Sequence, residues 1–269
     1  MKYKILVLDL DGTLTNSKKE ITEHTYKTLI EAQEKGLKIV LASGRPTYGV
    51  APLANKLQLD KFGGYILSYN GGEIIDWKTG KLMYKNLLDP EMLPYLYRCA
   101  KENDFAIVTY ENEYVITERP DDEYVLKEAI LNVMPIKKVD NFLEAIKFPV
   151  AKCLIVGEAT RLAELEKKMY NHLKDKMGVF RSEPYFLELV PKGIDKAQSL
   201  AVLLKEIHMT KEAMIAVGDG FNDLSMIKYA GLGVAMQNAQ PVVKENADFI
   251  TLTNDEDGVA YVVEKFILS

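Results

Sequence analysis

Residues 3–13 read YKILVLDLDGT, and the texture changes at Asp9. Ile5–Leu8 is a short, unbroken apolar run, as expected of a strand buried on both faces of a parallel sheet. It ends on Asp9 and Asp11, two carboxylates one residue apart, followed by Gly12 and Thr13. Asp and Gly favour turns, which accounts for Asp11-Gly12-Thr13 but leaves Asp9 unexplained. Carboxylates this close repel each other unless a cation or a proton intervenes. Open parallel sheets place ligand sites at the carboxyl ends of their strands, so the pair marks a position to be matched with others.

Working outward, Thr22 is a cap for a helix running to Lys35, with Gly36 as its stop signal. Leu37–Ala42 and Tyr65–Tyr69 then read as further buried strands. Strand, helix, strand at this spacing means βαβ units. The rhythm returns late: strands at Ala213–Val217, Leu232–Ala235 and Phe249–Leu252, with helices at Asp223–Ala230, Pro241–Ala247 and Val259–Leu268. Between them, strand-like pieces (Phe105–Tyr110, Tyr114–Thr117, Lys152–Val156, Phe186–Val190) alternate with polar helices such as Glu91–Lys101 and Arg161–Lys174. The expected fold is therefore α/β: a Rossmann-like, mostly parallel sheet core made from residues 1–81 and 191–269, interrupted by an inserted α/β domain at 82–190.

Bulk properties narrow the function classes. The chain has 269 residues, 48% hydrophobic and 27% charged, as in a globular rather than a disordered protein. A net charge of -5 supplies no basic field for nucleic acid. No stretch reaches the roughly 18–20 apolar residues that span a bilayer, and a signal-peptide pattern is absent, so a cytoplasmic protein is expected. Cys99 and Cys153 are distant from each other and suggest neither a disulfide framework nor a zinc site. His24, His172 and His208 are scattered singly and read as surface or structural residues.

Three further clusters follow strands or open helices. Ser43-Gly44-Arg45 precedes Pro46, and a hydroxyl with nearby backbone N–H groups at a helix start suits a phosphate. Gly218-Asp219-Gly220-Phe221-Asn222-Asp223 lacks the last glycine of a dinucleotide loop and carries Asp219 and Asp223, oxygen ligands of the kind a hard Mg2+ prefers. Lys196 lies in Gly193-Ile194-Asp195-Lys196-Ala197 at the start of a helix expected over Lys196–Ile207. Each cluster alone has a bland reading as a turn, a cap or a surface lysine. Together they are the parts for holding a phosphoryl group on a metal and a lysine. No G-x-x-x-x-G-K-[ST] run occurs, which excludes a P-loop.

Asp9-x-Asp11-Gly12-Thr13, Ser43, Lys196 and Gly218-Asp219-x-x-Asn222-Asp223, in this order, resemble the four motifs of the haloacid dehalogenase superfamily. Tyr69-Asn70-Gly71-Gly72, Phe186-Leu187-Glu188-Leu189 and Gly231–Ala239 further resemble its Cof-type sugar-phosphatase branch, whose large C2-type cap is inserted at the position of 82–190. The resemblance implies a Mg2+-dependent phosphatase acting on small phosphomonoesters. Asp9 would be the nucleophile, forming an aspartyl-phosphate, and Asp11 the acid and base. Ser43, Gly44, Lys196 and Asn222 would hold the phosphate. Asp9, Asp11 (through its carbonyl), Asp219 and Asp223 would hold the metal, Asp223 as a ligand or just behind one. Arg45 and Asn70 resemble loop residues that face the substrate. The pattern departs from the branch at Asp195 and Ala197, where Asn or Ser and Gly are common, and Lys192 competes with Lys196 for the lysine role.

The implied partner is a small phosphorylated metabolite, with neither nucleic acid nor membrane involved; the sequence does not choose between monomer and homodimer. Arg119, Lys152 and Arg181 are basic residues of the insertion that are candidates to meet the substrate. A phosphosugar mutase and a non-catalytic phosphometabolite-binding protein are the alternatives, and retention of both Asp9 and Asp11 favours hydrolysis.

Overall fold

The computed structural model describes residues 2–269. Among them the chain divides into two compact units, one built from residues up to Tyr84 together with Asp195–Ser269, the other from Lys85–Ile194. These junctions fall a few residues C-terminal to those suggested by the sequence. In chain order the strands begin with β1 (Ile5–Leu8), β2 (Lys38–Ala42), β3 (Tyr65–Ser68), β4 (Glu73–Asp76) and β5 (Lys81–Lys85). They continue with β6 (Ala106–Glu111), β7 (Tyr114–Thr117), β8 (Ile136–Lys138), β9 (Cys153–Val156), β10 (Met177–Glu183) and β11 (Phe186–Pro191). The chain closes with β12 (Met214–Gly218), β13 (Leu232–Ala235) and β14 (Phe249–Ile250).

Among the described residues, eight strands form the first sheet, in the order β14-β13-β12-β1-β2-β3-β4-β5. From β14 to β3 neighbouring strands are parallel, and β4 returns antiparallel to β3. The mostly parallel α/β core expected from the sequence is present. β1 lies in the middle, in register with β2 (Leu8 opposite Leu41) and with β12 (Leu8 opposite Val217). Connections leave β1 toward β2 and leave β12 toward β13, so they diverge at this pair. Such a divergence opens a crevice outside the carboxyl ends of the two strands.

Burial explains why β1 reads as an unbroken apolar run. Leu6 and Leu8 pack with Leu29 and Ala32 of the helix Glu23–Glu34 and with Val259, Val262 and Val263 of the helix Gly258–Val263. Ile5 and Val7 face the other way, onto Leu200, Leu203 and Leu204 of the helix Lys196–Glu206. The first helix starts where expected: Thr22 Oγ1 accepts from Thr25 N at 3.1 Å, and Asp257 accepts from the hydroxyls of both threonines. The last expected helix differs. It is α-helical only over Gly258–Val263 and widens into a π-helical turn over Glu264–Leu268.

The second unit has its own sheet, of order β10-β11-β9-β6-β7-β8, antiparallel except for the parallel β7–β8 pair. Helices Leu93–Glu102 and Ala159–Leu173 cover one face through Leu96, Ala100, Leu162, Leu165 and Met169. A buried ionic cluster also lies within this unit. Lys152 Nζ is 3.0 Å from Glu188 Oε2, and both residues are under 5% exposed, at 3% and 4%. Ser182 Oγ donates to Glu188 Oε1 at 2.9 Å. Glu128, equally buried, accepts from Tyr110 OH and from Asn132 Nδ2.

Two carboxylates thus share one ammonium. Burial raises the pKa of Glu128, and the Lys152 charge only partly opposes that rise. Removing Lys152 strands the two carboxylates in a dry site, so Lys152→Met is expected to lower unfolding free energy by about 3–5 kcal/mol in urea titrations. Glu128→Gln tests the other side. A carboxyl with a raised folded pKa gives stability that is lost as pH rises above its unfolded value of 4.5. Gln cannot ionise, so this variant should equal or exceed the wild type in stability at pH 8 and show a flatter decline from pH 5.

Candidate active site

The residue after β1 is Asp9, buried, whose N–H donates to Val217 O on β12 at 3.1 Å. The residue after β12 is Asp219. The crevice between diverging connections therefore has a carboxylate on each wall. Thr13 Oγ1 donates to Asp219 Oδ1 at 2.8 Å and ties the two walls together. Gly12 makes this approach possible. Its φ is +87°, and a Cβ there would lie 2.5 Å from Asp219 Oδ2. Asn238 Nδ2 donates to the Gly12 carbonyl at 2.8 Å from the loop after β13.

Lys196 is fully buried, and its Nζ donates to Asp9 Oδ1 (2.7 Å), Asp223 Oδ1 (2.6 Å) and the Ala42 carbonyl at the end of β2 (2.9 Å). Those three bonds use every donor an ammonium has. The departure at Asp195 has a local cause: its Oδ1 caps the helix by accepting from Gln198 N at 3.0 Å. Lys192 belongs to the second unit, where its Nζ donates to the Asp175 carbonyl at 2.8 Å. Asp223 is engaged on both oxygens, Oδ1 by Lys196 and Oδ2 by the N–H groups of Asp219 (3.0 Å) and Gly220 (2.9 Å).

Asp9, Asp219 and Asp223 each place an oxygen within 4.8 Å of the others. Three carboxylates against one ammonium leave an excess of two negative charges in a largely buried space. Burial, then the charge of Asp223, raises the pKa of Asp9 well above its usual value, with Lys196 opposing. Lys196 therefore offsets only part of that rise. Burial likewise raises Asp219, to about 6, despite the Thr13 hydrogen bond. Lys196 shows the reciprocal effect: burial would lower its pKa, but Asp223 and Asp9 outweigh that and raise it. An all-oxygen donor set with this excess charge fits a hard divalent cation.

The second group of expected residues meets around Asp11. Arg45 grips the Asp11 carboxylate through Nε to Oδ2 (2.8 Å) and Nη2 to Oδ1 (2.7 Å), and Lys19 Nζ reaches Oδ1 at 2.7 Å. Burial raises the pKa of Asp11, but the hydrogen bonds and charge of Arg45 and then Lys19 outweigh it and bring it below the ordinary value. Arg45 is therefore placed on Asp11, a partner not anticipated from the sequence. Its N–H donates to Ser43 Oγ at 3.1 Å, and its carbonyl accepts from Tyr69 N at 3.0 Å. Ser43 is buried at the end of β2 beside Gly44, where an added Cβ would lie 3.0 Å from Asn70 Nδ2. Asn222 Nδ2 donates to Asn70 Oδ1 at 3.0 Å, joining the loops after β3 and β12.

All ten residues singled out in the sequence as catalytic, phosphate-holding, metal-holding or substrate-facing thus lie on loops at the carboxyl ends of β1, β2, β3 and β12 or at the start of the helix Lys196–Glu206. Thr13 and Lys19 are additions. Thr13 was visible as part of the Asp-Gly-Thr turn, but its bond to a residue 206 positions away was not. Nothing in Ser17-Lys18-Lys19-Glu20 separates Lys19 from its neighbours. The basic residues of the insertion have partners inside their own unit: Arg119 pairs with Asp104, Lys152 with Glu188, and Arg181 with Glu166.

Geometrically, a buried carboxylate, a partly exposed carboxylate two residues on, a hydroxyl, a lysine and a cation-fitting acidic group lie at neighbouring strand ends, the kinds of group that transfer of a phosphoryl group requires. The comparisons agree. The family model for haloacid dehalogenase-like hydrolases matches residues 6–263. A crystal structure of a haloacid dehalogenase-like hydrolase from Bacteroides thetaiotaomicron superposes with a TM-score of 0.96 at 61% identity, covering 98% of this chain and 99% of that one. The 5-amino-6-(5-phospho-D-ribitylamino)uracil phosphatase YcsE of Bacillus subtilis is 32% identical over 98% of this chain and 96% of its own length. BT4131, a sugar phosphatase of subclass IIB, superposes with a TM-score of 0.80 at 25% identity over 98% of both chains. From the strand-end carboxylates to the match along almost its whole length, this chain belongs to the haloacid dehalogenase-like hydrolase family.

Proposed function

We propose that this protein is a divalent-cation-dependent phosphatase that hydrolyses small phosphomonoesters, with sugar phosphates as the substrate class. The observation that carries the reading is the pairing of Asp9, at the end of β1, with the Lys196 ammonium at 2.7 Å and the acidic oxygens of Asp219 within reach. The named relatives, one acting on a phosphoribityl compound and one a sugar phosphatase, support the substrate class.

Asp9 attacks phosphorus, the bond to the leaving oxygen breaks, and an aspartyl-phosphate forms. Asp11 gives the leaving oxygen its proton and takes one from the water that next attacks the intermediate. Ser43, Asn222 and the N–H groups about Gly44 hold the phosphate oxygens, joined by Lys196 as it exchanges one of its three present hydrogen bonds for a phosphate oxygen. Asp9, Asp219 and the Asp11 carbonyl would hold the cation, Mg2+ in this reading, which supplies two positive charges against the excess on the carboxylates. Asp223, with both oxygens occupied, keeps Lys196 and the Asp219 loop in place beside it. The inserted unit, read from the sequence as 82–190, selects the leaving group.

The test is phosphate release from a panel of sugar phosphates, polyol phosphates, nucleotides and p-nitrophenyl phosphate. Release that needs Mg2+, stops in EDTA and falls by at least about a thousandfold in Asp9→Asn is expected. Silence across the panel from folded, Mg2+-loaded protein would sink the reading. Protons compete with the cation for Asp219, whose pKa is about 6. Calorimetric Mg2+ titrations should therefore show affinity falling as pH drops through 6. The sign agrees with stability: a raised carboxyl destabilises the cation-free fold as pH rises through its folded value, so Mg2+ should raise Tm more at pH 7.5 than at pH 5. Lys196→Met should abolish turnover and lower the Tm of the cation-free protein, with Mg2+ restoring part of the loss in melting but none of the turnover.

A further inference from the structure

Lys19 has no part in the reaction as just described, yet its backbone and its side chain are both unusual. It occupies a turn closed by Asn16 N to Glu20 O and Lys19 N to Asn16 O, both 2.9 Å. Asn16 Oδ1 accepts from Lys18 N and Glu20 N, and the loop is anchored from the C-terminal region by Ser17 N to Asp255 Oδ1 (2.8 Å) and by Asn254 Nδ2 to Thr15 O (2.9 Å). At this turn Lys19 has φ +62°, a left-handed conformation that disfavours any residue with a Cβ by about 1–2 kcal/mol. Asn or Gly suits such a place, and turn geometry alone gives no reason for lysine.

The reason lies at the far end of the side chain. Lys19 Nζ sits 2.7 Å from Asp11 Oδ1, although the lysine side chain is 55% exposed. Arg45 already holds both oxygens of the same carboxylate, so Asp11 has two cations brought by two different loops. A surface pair of this kind adds little to stability. What it does add is orientation, because the Asp11 side chain is 34% exposed and is followed by Gly12.

We propose that Lys19 is a positioning residue for the second half of the reaction. Its ammonium fixes the Asp11 carboxylate where the hydrolytic water must lose a proton: the water oxygen bonds to phosphorus, the bond from phosphorus to Asp9 breaks, and the water proton passes to Asp11. The proposal rests on the phosphatase reading and adds to it a residue, a step and an order of effects.

The substrate for the test is p-nitrophenyl phosphate with Mg2+, because nitrophenolate leaves without a proton and its departure does not depend on Asp11. In Lys19→Met, kcat should fall about tenfold while kcat/KM changes by less than about twofold, since a misplaced base slows only the step after the first product leaves. Nitrophenol should appear as a burst, and the aspartyl-phosphate should accumulate and be detectable by mass spectrometry after an acid quench. Lys19→Arg should recover most of kcat. An equal fall in kcat and kcat/KM, or no fall in either, overturns the proposal. Crystal structures of wild type and Lys19→Met give a readout that needs no turnover: one Asp11 orientation in the first, several in the second. An unchanged, single Asp11 orientation in Lys19→Met also overturns it. Failure of the phosphatase reading would show separately, as wild-type protein that releases no nitrophenol, and the Asp11 orientation would then decide the role of Lys19 by itself.

Discussion

Three carboxylates and one ammonium meet where β1 and β12 end, and their imbalance of charge governs the architecture around them. Each neighbour has the task of making that imbalance bearable or of keeping it open to a cation. Lys196 spends all three N–H groups on Asp9, Asp223 and the Ala42 carbonyl. Asp223 is satisfied by Lys196 and two backbone N–H groups, so it is the carboxylate most completely absorbed into the protein. Asp9 and Asp219 are the ones left with pKa values pushed up by burial. The acidic oxygens of the site are therefore arranged in advance to favour positive charge.

The inserted unit solves a related problem in another way. Glu128, Glu188 and Lys152 are also short of one positive charge, but Tyr110, Ser182 and Asn132 surround them with donors. A proton can settle that account without any ligand, because it needs no opening to reach a single carboxyl. The two clusters show how similar residue sets diverge in use: the core keeps its excess at strand ends beside a crevice, whereas the insertion closes its excess between packed elements.

Much of this was legible in the chain because parallel sheets write their sites locally. An apolar run followed at once by polar residues marks a strand and its carboxyl end together, and this happens at Asp9, Ser43 and Asp219. Other elements were silent for physical reasons. β4, β5 and β10 are half exposed and mix polar with apolar side chains, so no clean alternation appears. The helix Glu123–Asn132 leaves Ile130 76% exposed, which blurs the apolar stripe that announces a helix. Lys152 looked like any surface lysine, since its partner Glu188 lies 36 residues away. Arg45 was visible as a loop residue near the site, but that it grips Asp11 depends on the fold of two loops, and Lys19 depends on a left-handed turn that no residue type signals.

The central position of β1 has a consequence for how the chain acquires its structure. Residues 5–8 pair with 38–41 on one side, a local and early contact, and with 214–217 on the other. At about 5–20 residues per second, ribosomal synthesis of the roughly 200 intervening residues takes on the order of 10–40 seconds. Throughout that interval β1, β2 and β3 can associate, but the outer edge of β1 waits for a strand not yet made. Asp9 lies at the end of that waiting edge. A carboxylate there puts a charged, water-seeking group at one end of an otherwise apolar edge, the kind of residue that disfavours pairing with a foreign strand.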